Sequence, residues 1–226
     1  MRTRVFVGVM VAALAVVLSV GVLLASNMAF KLNKLIFGLP PSGTAKIGVT
    51  ALALPYLRPT GMNNAKDLAL DLGCTRVSEL RRYVEATNGL QTYRCQGPAF
   101  GVNFSLSSGE GYFVVAKNVP DYSYIAAGSH DPAFAVPLEG TPASKIGRNV
   151  FAMPYHFAGA NAKDLALDIG CTNISEVRRY VSTTNGLQTY RCTGPAFGVN
   201  FGLVLGESYD VIAKAGVAVG YVPSHY

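Results

Sequence analysis

Aspartates spaced four residues apart are the first candidates for chemistry in this sequence. They are Asp67 with Asp71 and Asp164 with Asp168. Glycoside hydrolysis uses two carboxyl groups that flank the breaking bond in a cleft. Each pair here lies on a predicted short helix opposite an apolar stripe, and Asp67 stands where it would interact with the N-terminal end of that helix. We therefore interpret these carboxylates as capping or solvated groups.

The three histidines do not complete a catalytic constellation. His130 and His225 each follow a serine, and His156 lies in a predicted loop. A serine nucleophile and its histidine base are normally brought together by the fold, with an acid that orients the histidine. The sequence also lacks G-x-S-x-G, H-E-x-x-H, P-loop and Rossmann motifs. We predict a protein that is not an enzyme, with no catalytic residues, no cofactor and no metal.

The cysteines are better explained as disulfides than as metal ligands. Zinc sites usually combine C-x₂₋₄-C spacing with further Cys or His ligands, and this spacing is absent. Four cysteines allow three connectivities. The repeat described next favours two local pairs in an oxidising compartment, each stabilising the fold by about 3 kcal/mol. These pairs are Cys74–Cys95 and Cys171–Cys192.

A segment of the chain occurs twice. Residues 64–104 recur as residues 161–201, and 34 of the 41 positions are identical. The differences lie at residues 72, 76, 77, 80, 85, 86 and 96. Such a repeat decides the domain count. We predict two tandem homologous modules, over 45–136 and 145–226, joined by a linker over 137–144.

The N-terminus has the features of an export signal. Two arginines precede an uncharged, apolar segment over 5–25. This segment is longer than the usual hydrophobic region of a signal peptide and close to the ~20 residues that span a bilayer. We predict a signal peptide or a retained signal anchor over 1–26. The remainder would be secreted, periplasmic or at the cell surface, with membrane contact only through 5–25 if this segment is not cleaved.

The charge pattern argues against nucleic acid as a partner. The formal net charge is +6, but only 14% of the residues are charged and the sequence has no Lys/Arg run. Nucleic-acid-binding proteins usually cluster basic residues on one face. We predict no nucleic-acid partner.

The elements that must position these residues are short. In each module, an apolar strand that ends at a proline precedes a helix capped by Asn64 or Asn161. A hairpin follows, with Asn88-Gly89 as its predicted two-residue turn, and two further strands complete the module. We predict an α+β fold in which each module is a small antiparallel sheet with one short helix and one disulfide. An extension over 27–44 is expected to pack on the first module or pair with a neighbouring subunit.

The outer face of each hairpin is the candidate interaction surface. The predicted pairing places arginine and tyrosine side chains on a solvated face, and both residue types are favoured at interfaces. Two copies would give avidity toward a repetitive partner. Ordinary cross-strand cation–π pairing is the alternative. The residues are Arg81, Tyr83, Arg94, Arg178, Tyr180 and Arg191.

The order of motifs resembles tandem modules of exported bacterial surface and secreted proteins. Leu54-Pro55 ends a strand, a tyrosine-containing hairpin follows, and Gly109-Glu110-Gly111-Tyr112-Phe113 closes the unit. The second copy departs from this pattern, with Ser208 and Asp210 in the corresponding motif. The resemblance implies an exported, non-enzymatic structural or interaction protein. A carbohydrate- or polymer-binding accessory module and a subunit of an extracellular filament are alternatives. A protein or polysaccharide surface, or self-association, would supply the partner.

Overall fold

A computed structural model describes residues 30–39, 47–96, 101–129, 131, 134–154, 157–193 and 198–224. The predicted export segment over 1–26 and the three histidines lie outside these ranges. Residues 31–226 belong to one unit. Among the described helices, none is long and apolar enough to cross a membrane.

Strands dominate the described residues, which also form two short helices and carry two disulfides. The helices are α1 (Ala65–Leu72) and α2 (Ala162–Ile169). The first six strands are β1 (Phe30–Ile36), β2 (Val49–Ala53), β3 (Val77–Val84), β4 (Gly89–Arg94), β5 (Gly111–Ala116) and β6 (Tyr122–Gly128). The next six are β7 (Val136–Glu139), β8 (Arg148–Ala152), β9 (Ile174–Val181), β10 (Gly186–Arg191), β11 (Ser208–Ala213) and β12 (Ala218–Tyr221). This content fits the predicted sheet-rich fold.

The strands form four sheets rather than one sheet for each copy. Two four-stranded sheets have equivalent orders, β2-β5-β3-β4 and β8-β11-β9-β10, and neighbouring strands within them are antiparallel. Two further sheets have two strands each, β1-β6 and β7-β12. The strand expected to complete each sheet, β6 or β12, instead leaves it and pairs with a preceding strand. The predicted linker over 137–144 therefore contains most of β7, and the predicted extension over 27–44 contains β1.

Both helices begin with the same capping arrangement. The Asn64 side chain accepts a hydrogen bond from the Asp67 amide at 3.1 Å, and the Asp67 carboxylate accepts one from the Asn64 amide at 3.2 Å. Asn161 and Asp164 repeat both bonds. This capping box satisfies amide groups that the first helical turn leaves without partners.

Asn64→Ala is expected to lower the free energy of unfolding by about 1 kcal/mol, because it removes the cap acceptor. Asn161→Ala should have a similar effect, since its geometry is the same. Urea denaturation of both variants measures the change. Equal stability of the wild type and either variant would contradict this role.

Each four-stranded sheet has one face covered by a helix and a two-stranded sheet. In the first half of the chain, the apolar side of α1 packs with Leu52, Leu80 and Tyr112 from the sheet and Ile36 from β1. In the second half, α2 packs with Phe151, Tyr209 and Leu138 of β7. Disulfides join Cys74 to Cys95 and Cys171 to Cys192 beside these cores, and this is the connectivity expected from the repeat.

The opposite faces of the two four-stranded sheets pack against each other. Buried residues from both sheets form a third cluster: Val49, Ala51, Tyr83, Phe113 and Val150. The main chains also join reciprocally, because the Ala53 amide donates to Gly206 O at 2.9 Å and the Ala152 amide donates to Gly109 O at 2.8 Å. Ala53 is equivalent to Ala152 and Gly109 to Gly206, so each half donates one of these bonds and accepts the other. This is the pattern of an approximate twofold axis between the halves.

Candidate functional site

The hairpin turn is longer than the sequence motif predicted. Val84 pairs with Gly89, so four residues, 85–88, connect β3 to β4. Asn88 adopts a left-handed conformation with φ of 50°, and its side chain accepts a hydrogen bond from Tyr83 Oη at 2.8 Å. The predicted two-residue Asn-Gly turn is therefore wrong. The pairing is displaced by four residues, an even number, so each side chain keeps its predicted face of the sheet.

A carboxylate lies between two guanidinium groups on the face of each hairpin that also carries Tyr83 or Tyr180. Glu79 Oε2 accepts hydrogen bonds from Arg81 Nη2 at 2.6 Å and Arg81 Nε at 2.9 Å. Glu79 Oε1 accepts one from Arg94 Nε at 2.9 Å. The cluster thus links Glu79 and Arg81, neighbours on one face of β3, with Arg94, which faces Glu79 on β4, and this fixes the orientation of both arginines.

The second hairpin repeats this cluster. Glu176 pairs with Arg178 at 2.5 Å and with Arg191 at 2.9 Å. Burial alone would raise the pKa of each central glutamate, but the arginine hydrogen bonds and charges hold the pKa of both Glu79 and Glu176 below the ordinary value. Each cluster therefore has a negative centre between two positive groups and a net charge of +1.

The candidate residues differ in how far they reach solvent. The side chains of Arg94 and Arg191 are both 52% exposed. Tyr83 is only 2% exposed, because it belongs to the cluster between the two sheets and lies 4.4 Å beneath the Arg148 guanidinium. Tyr180 is half-buried, with its ring 6.1 Å from that of Phe113. The expectation of a wholly solvated tyrosine face is wrong, since the opposite sheet covers it.

Exposed leucines were missed by the sequence reasoning. Leu90 and Leu187 are 52% and 54% exposed, and they pair with Tyr83 and Tyr180. Side chains alternate along β4 and β10, so these leucines lie on the same face as the arginine clusters. We call this surface the hairpin patch, and each copy has five residues. They are Glu79, Arg81, Leu90, Thr92 and Arg94, and in the second copy Glu176, Arg178, Leu187, Thr189 and Arg191.

The aspartate pairs have structural partners. Asp67 and Asp164 cap their helices, as described above. Asp71 accepts a hydrogen bond from Tyr124 Oη at 2.6 Å, and Asp168 accepts one from Tyr221 Oη at 2.5 Å. The second carboxylate of each pair therefore ties its helix to the adjacent two-stranded sheet.

The described ranges contain no group of three or more His, Cys, Asp or Glu side chains arranged to hold a metal ion. Both disulfides fit an oxidising environment.

No family model matches the chain, and neither curated proteins nor solved structures give a significant match. Function is therefore inferred from the geometry of the chain itself.

Proposed function

We propose that the chain is an exported, non-enzymatic interaction protein of the bacterial cell surface or extracellular space. Its two tandem modules would each bind the same repetitive, negatively charged partner through a hairpin patch. The disulfides and the apolar segment over 5–25 support export. The patches support binding, because each presents an exposed leucine beside a cluster with net positive charge.

One observation carries this proposal: the exposed residues of the hairpin patch are identical in the two copies, although packing does not require it. Leu90 and Arg94 are more than half exposed, yet the second copy has the same residues at 187 and 191. Buried residues outside the segment have changed between copies. Examples are Val49 against Arg148 and Phe113 against Asp210. Exposed positions 76, 86 and 96 of the same segment do differ between the copies. A shared ligand explains why the patch residues are kept although other exposed positions of the segment are not.

The charge and number of the patches indicate the class of partner. Guanidinium groups favour carboxylate, sulfate or phosphate groups, and two patches on one chain gain avidity from a partner that repeats. An acidic polysaccharide meets both requirements. The alternative of a filament subunit has no specific observation in its favour, because β1, the strand expected to join a neighbour, pairs with β6 of the same chain.

Arg94→Ala is expected to weaken binding to an acidic polysaccharide about tenfold, since it removes one charge-assisted contact. Arg191→Ala should do the same. The double variant should lose about the product of the two single losses, because the affinity of a bivalent complex scales with the product of the two site affinities. Surface plasmon resonance on immobilised polyuronate, with neutral dextran as the reference surface, measures these affinities.

Lys66→Ala with Lys163→Ala is the matched control. Both lysines are exposed on the helices, so the pair changes the net charge by the same amount outside the patches. The control should keep wild-type affinity. Equal losses in the control and the arginine double variant, or wild-type binding no stronger to polyuronate than to dextran, would contradict the proposal.

A further inference from the structure

Two cavities have related linings. The first cavity, of about 300 Å³, lies between the turn at Gly109-Glu110 and β7. The second cavity, of about 380 Å³, lies between the turn at Gly206-Glu207 and β1. The two turns are equivalent in the two halves of the chain, and so are the two strands. The cavities share no residue with the hairpin patches.

Gly109 and Gly206 are equivalent, so their neighbours show which lining residues of the two cavities correspond. A Cβ atom built on Gly109 would lie 3.3 Å from Val136 Cγ2. A Cβ atom built on Gly206 would lie 3.5 Å from Lys34 Cβ. Val136 in the first cavity therefore has the place that Lys34 has in the second.

The second cavity shows what its glutamate binds. Glu207 Oε1 accepts a hydrogen bond from Lys34 Nζ at 2.9 Å, and Glu207 Oε2 lies 2.7 Å from Arg179 Nε. Lys34 is only 5% exposed, so its ammonium group is held in the protein interior by this carboxylate. An alkyl ammonium is thus the natural occupant of this site in the second half of the chain.

The first cavity has the glutamate without the ammonium. Val136 supplies no charge, and Arg82 Nη1 is 3.7 Å from Glu110 because Arg82 Nε donates to Gln91 at 2.7 Å. Tyr112 Oη donates to Glu110 at 2.7 Å. The equivalent carboxylate has two positive partners in the second cavity, whereas in the first its positive partner is a more distant guanidinium.

Two further carboxylates line the first cavity. Glu85 and Glu139 are both in its wall, whereas the equivalent positions of the other half are Ser182 and Phe37. Glu139 is exposed, which opens this end of the cavity to solvent. Relative to the second cavity, the first has lost an ammonium and gained two carboxylates.

We propose that the first cavity binds a linear polyamine, with one ammonium group on Glu110 in the place that Lys34 Nζ has in the second cavity. A second ammonium group would lie toward Glu85 and Glu139. These carboxylates line one cavity, but among the described residues they belong to no cluster that could hold a metal ion. The ammonium groups of a polyamine, joined by a flexible chain, can each pair with a different carboxylate. One small cation cannot pair with all of them.

The electrostatics of the first cavity agree with this assignment. Burial raises the pKa of Glu110, against the opposing hydrogen bond from Tyr112 and the charge of Arg82. Burial also raises the pKa of Glu85, and the charges of Glu110 and Glu139 raise it further. A bound ammonium group would relieve the repulsion among these carboxylates.

Isothermal titration calorimetry of the disulfide-bonded protein tests the site with n-butylamine, putrescine and spermidine. Affinity should rise in that order, because additional ammonium groups engage additional carboxylates. Val136→Lys installs the ammonium of the second cavity and should weaken spermidine binding at least tenfold. Glu139→Gln, at an exposed position, should weaken spermidine binding severalfold and leave butylamine binding unchanged.

Leu70→Lys is the matched control, because Leu70 is exposed on α1 and the substitution adds the same charge away from the cavity. It should leave the affinity for spermidine within about twofold of the wild type, as expected for a remote exposed charge. Equal weakening by Leu70→Lys and Val136→Lys would show that the polyamine responds only to net charge, and would overturn the proposal. Absence of saturable spermidine binding to the wild type would also overturn it, as would equal affinity for the three amines.

Discussion

Arg148→Met is expected to lower the free energy of unfolding by about 3–5 kcal/mol at neutral pH, because it leaves a buried carboxylate without its counter-charge. Asp210 is 5% exposed and lies in the sheet-to-sheet region, where Arg148 Nη2 approaches its Oδ2 at 2.8 Å. The same guanidinium covers the Tyr83 ring. Methionine retains much of the side-chain volume, so most of the loss should come from the unpaired charge.

The pH dependence identifies this cause. Burial raises the pKa of Asp210 in the folded protein, while Arg148 and Arg178 oppose the rise. Removing Arg148 should raise the pKa further. A carboxyl group whose pKa is higher in the folded state binds protons more tightly there, so stability falls as pH increases from the unfolded value through the folded value. The loss in Arg148→Met should therefore be largest at neutral pH and shrink toward about pH 4.

Urea denaturation across this pH range is the measurement, with Arg148→Met/Asp210→Asn as the matched control. The double variant has no charge to bury, so it should recover part of the stability and lose the added pH dependence. A loss in Arg148→Met that stays constant with pH would mean that packing, rather than the carboxylate, causes it.

Features set by local chemistry were predictable from the sequence. The Asn64 cap, the apolar stripe of α1 and the pairing of Cys74 with Cys95 depend on residues within about one module. The faces of the hairpin were also predictable, because side chains alternate along a strand regardless of the partner. The turn itself was not, since Tyr83 stabilises Asn88 through a side-chain bond that the Asn-Gly motif does not reveal.

Features that depend on the other half of the chain could not be predicted. The partner of β1 is one such feature. Lys34 interrupts the apolar alternation of this segment, and Glu207, far along the chain, is what allows Lys34 to be buried. Tyr83 looked like a surface residue because only the opposite sheet covers it. The exposed arginines of the hairpin patch could be identified from the sequence. Leu90 was missed, although strand alternation places it on the same face as Arg94.

The second copy has serine where the first has the second glycine of its Gly-Glu-Gly motif. The contact between the two halves of the chain explains this difference. Gly111 and Ser208 are equivalent positions, and they face each other at the centre of the contact between the sheets. A Cβ atom on Gly111 would lie 2.4 Å from the Ser208 Cβ and 3.0 Å from Val150 Cγ1. Two Cβ atoms fixed to facing main chains cannot rotate apart, so one of the two positions must be glycine.

Gly111→Ala is therefore expected to lower the free energy of unfolding by about 3 kcal/mol, the upper end of the range typical for an overpacked core. Ser208→Gly alone should cost about 1 kcal/mol, because glycine is unfavourable in a strand. The double variant moves the side chain from one copy to the other and should be more stable than Gly111→Ala alone. Urea denaturation of the four proteins in a double-mutant cycle measures this coupling. Additive losses would show that the two halves do not meet at these positions, whereas rescue by Ser208→Gly would show that their contact permits only one side chain at the centre.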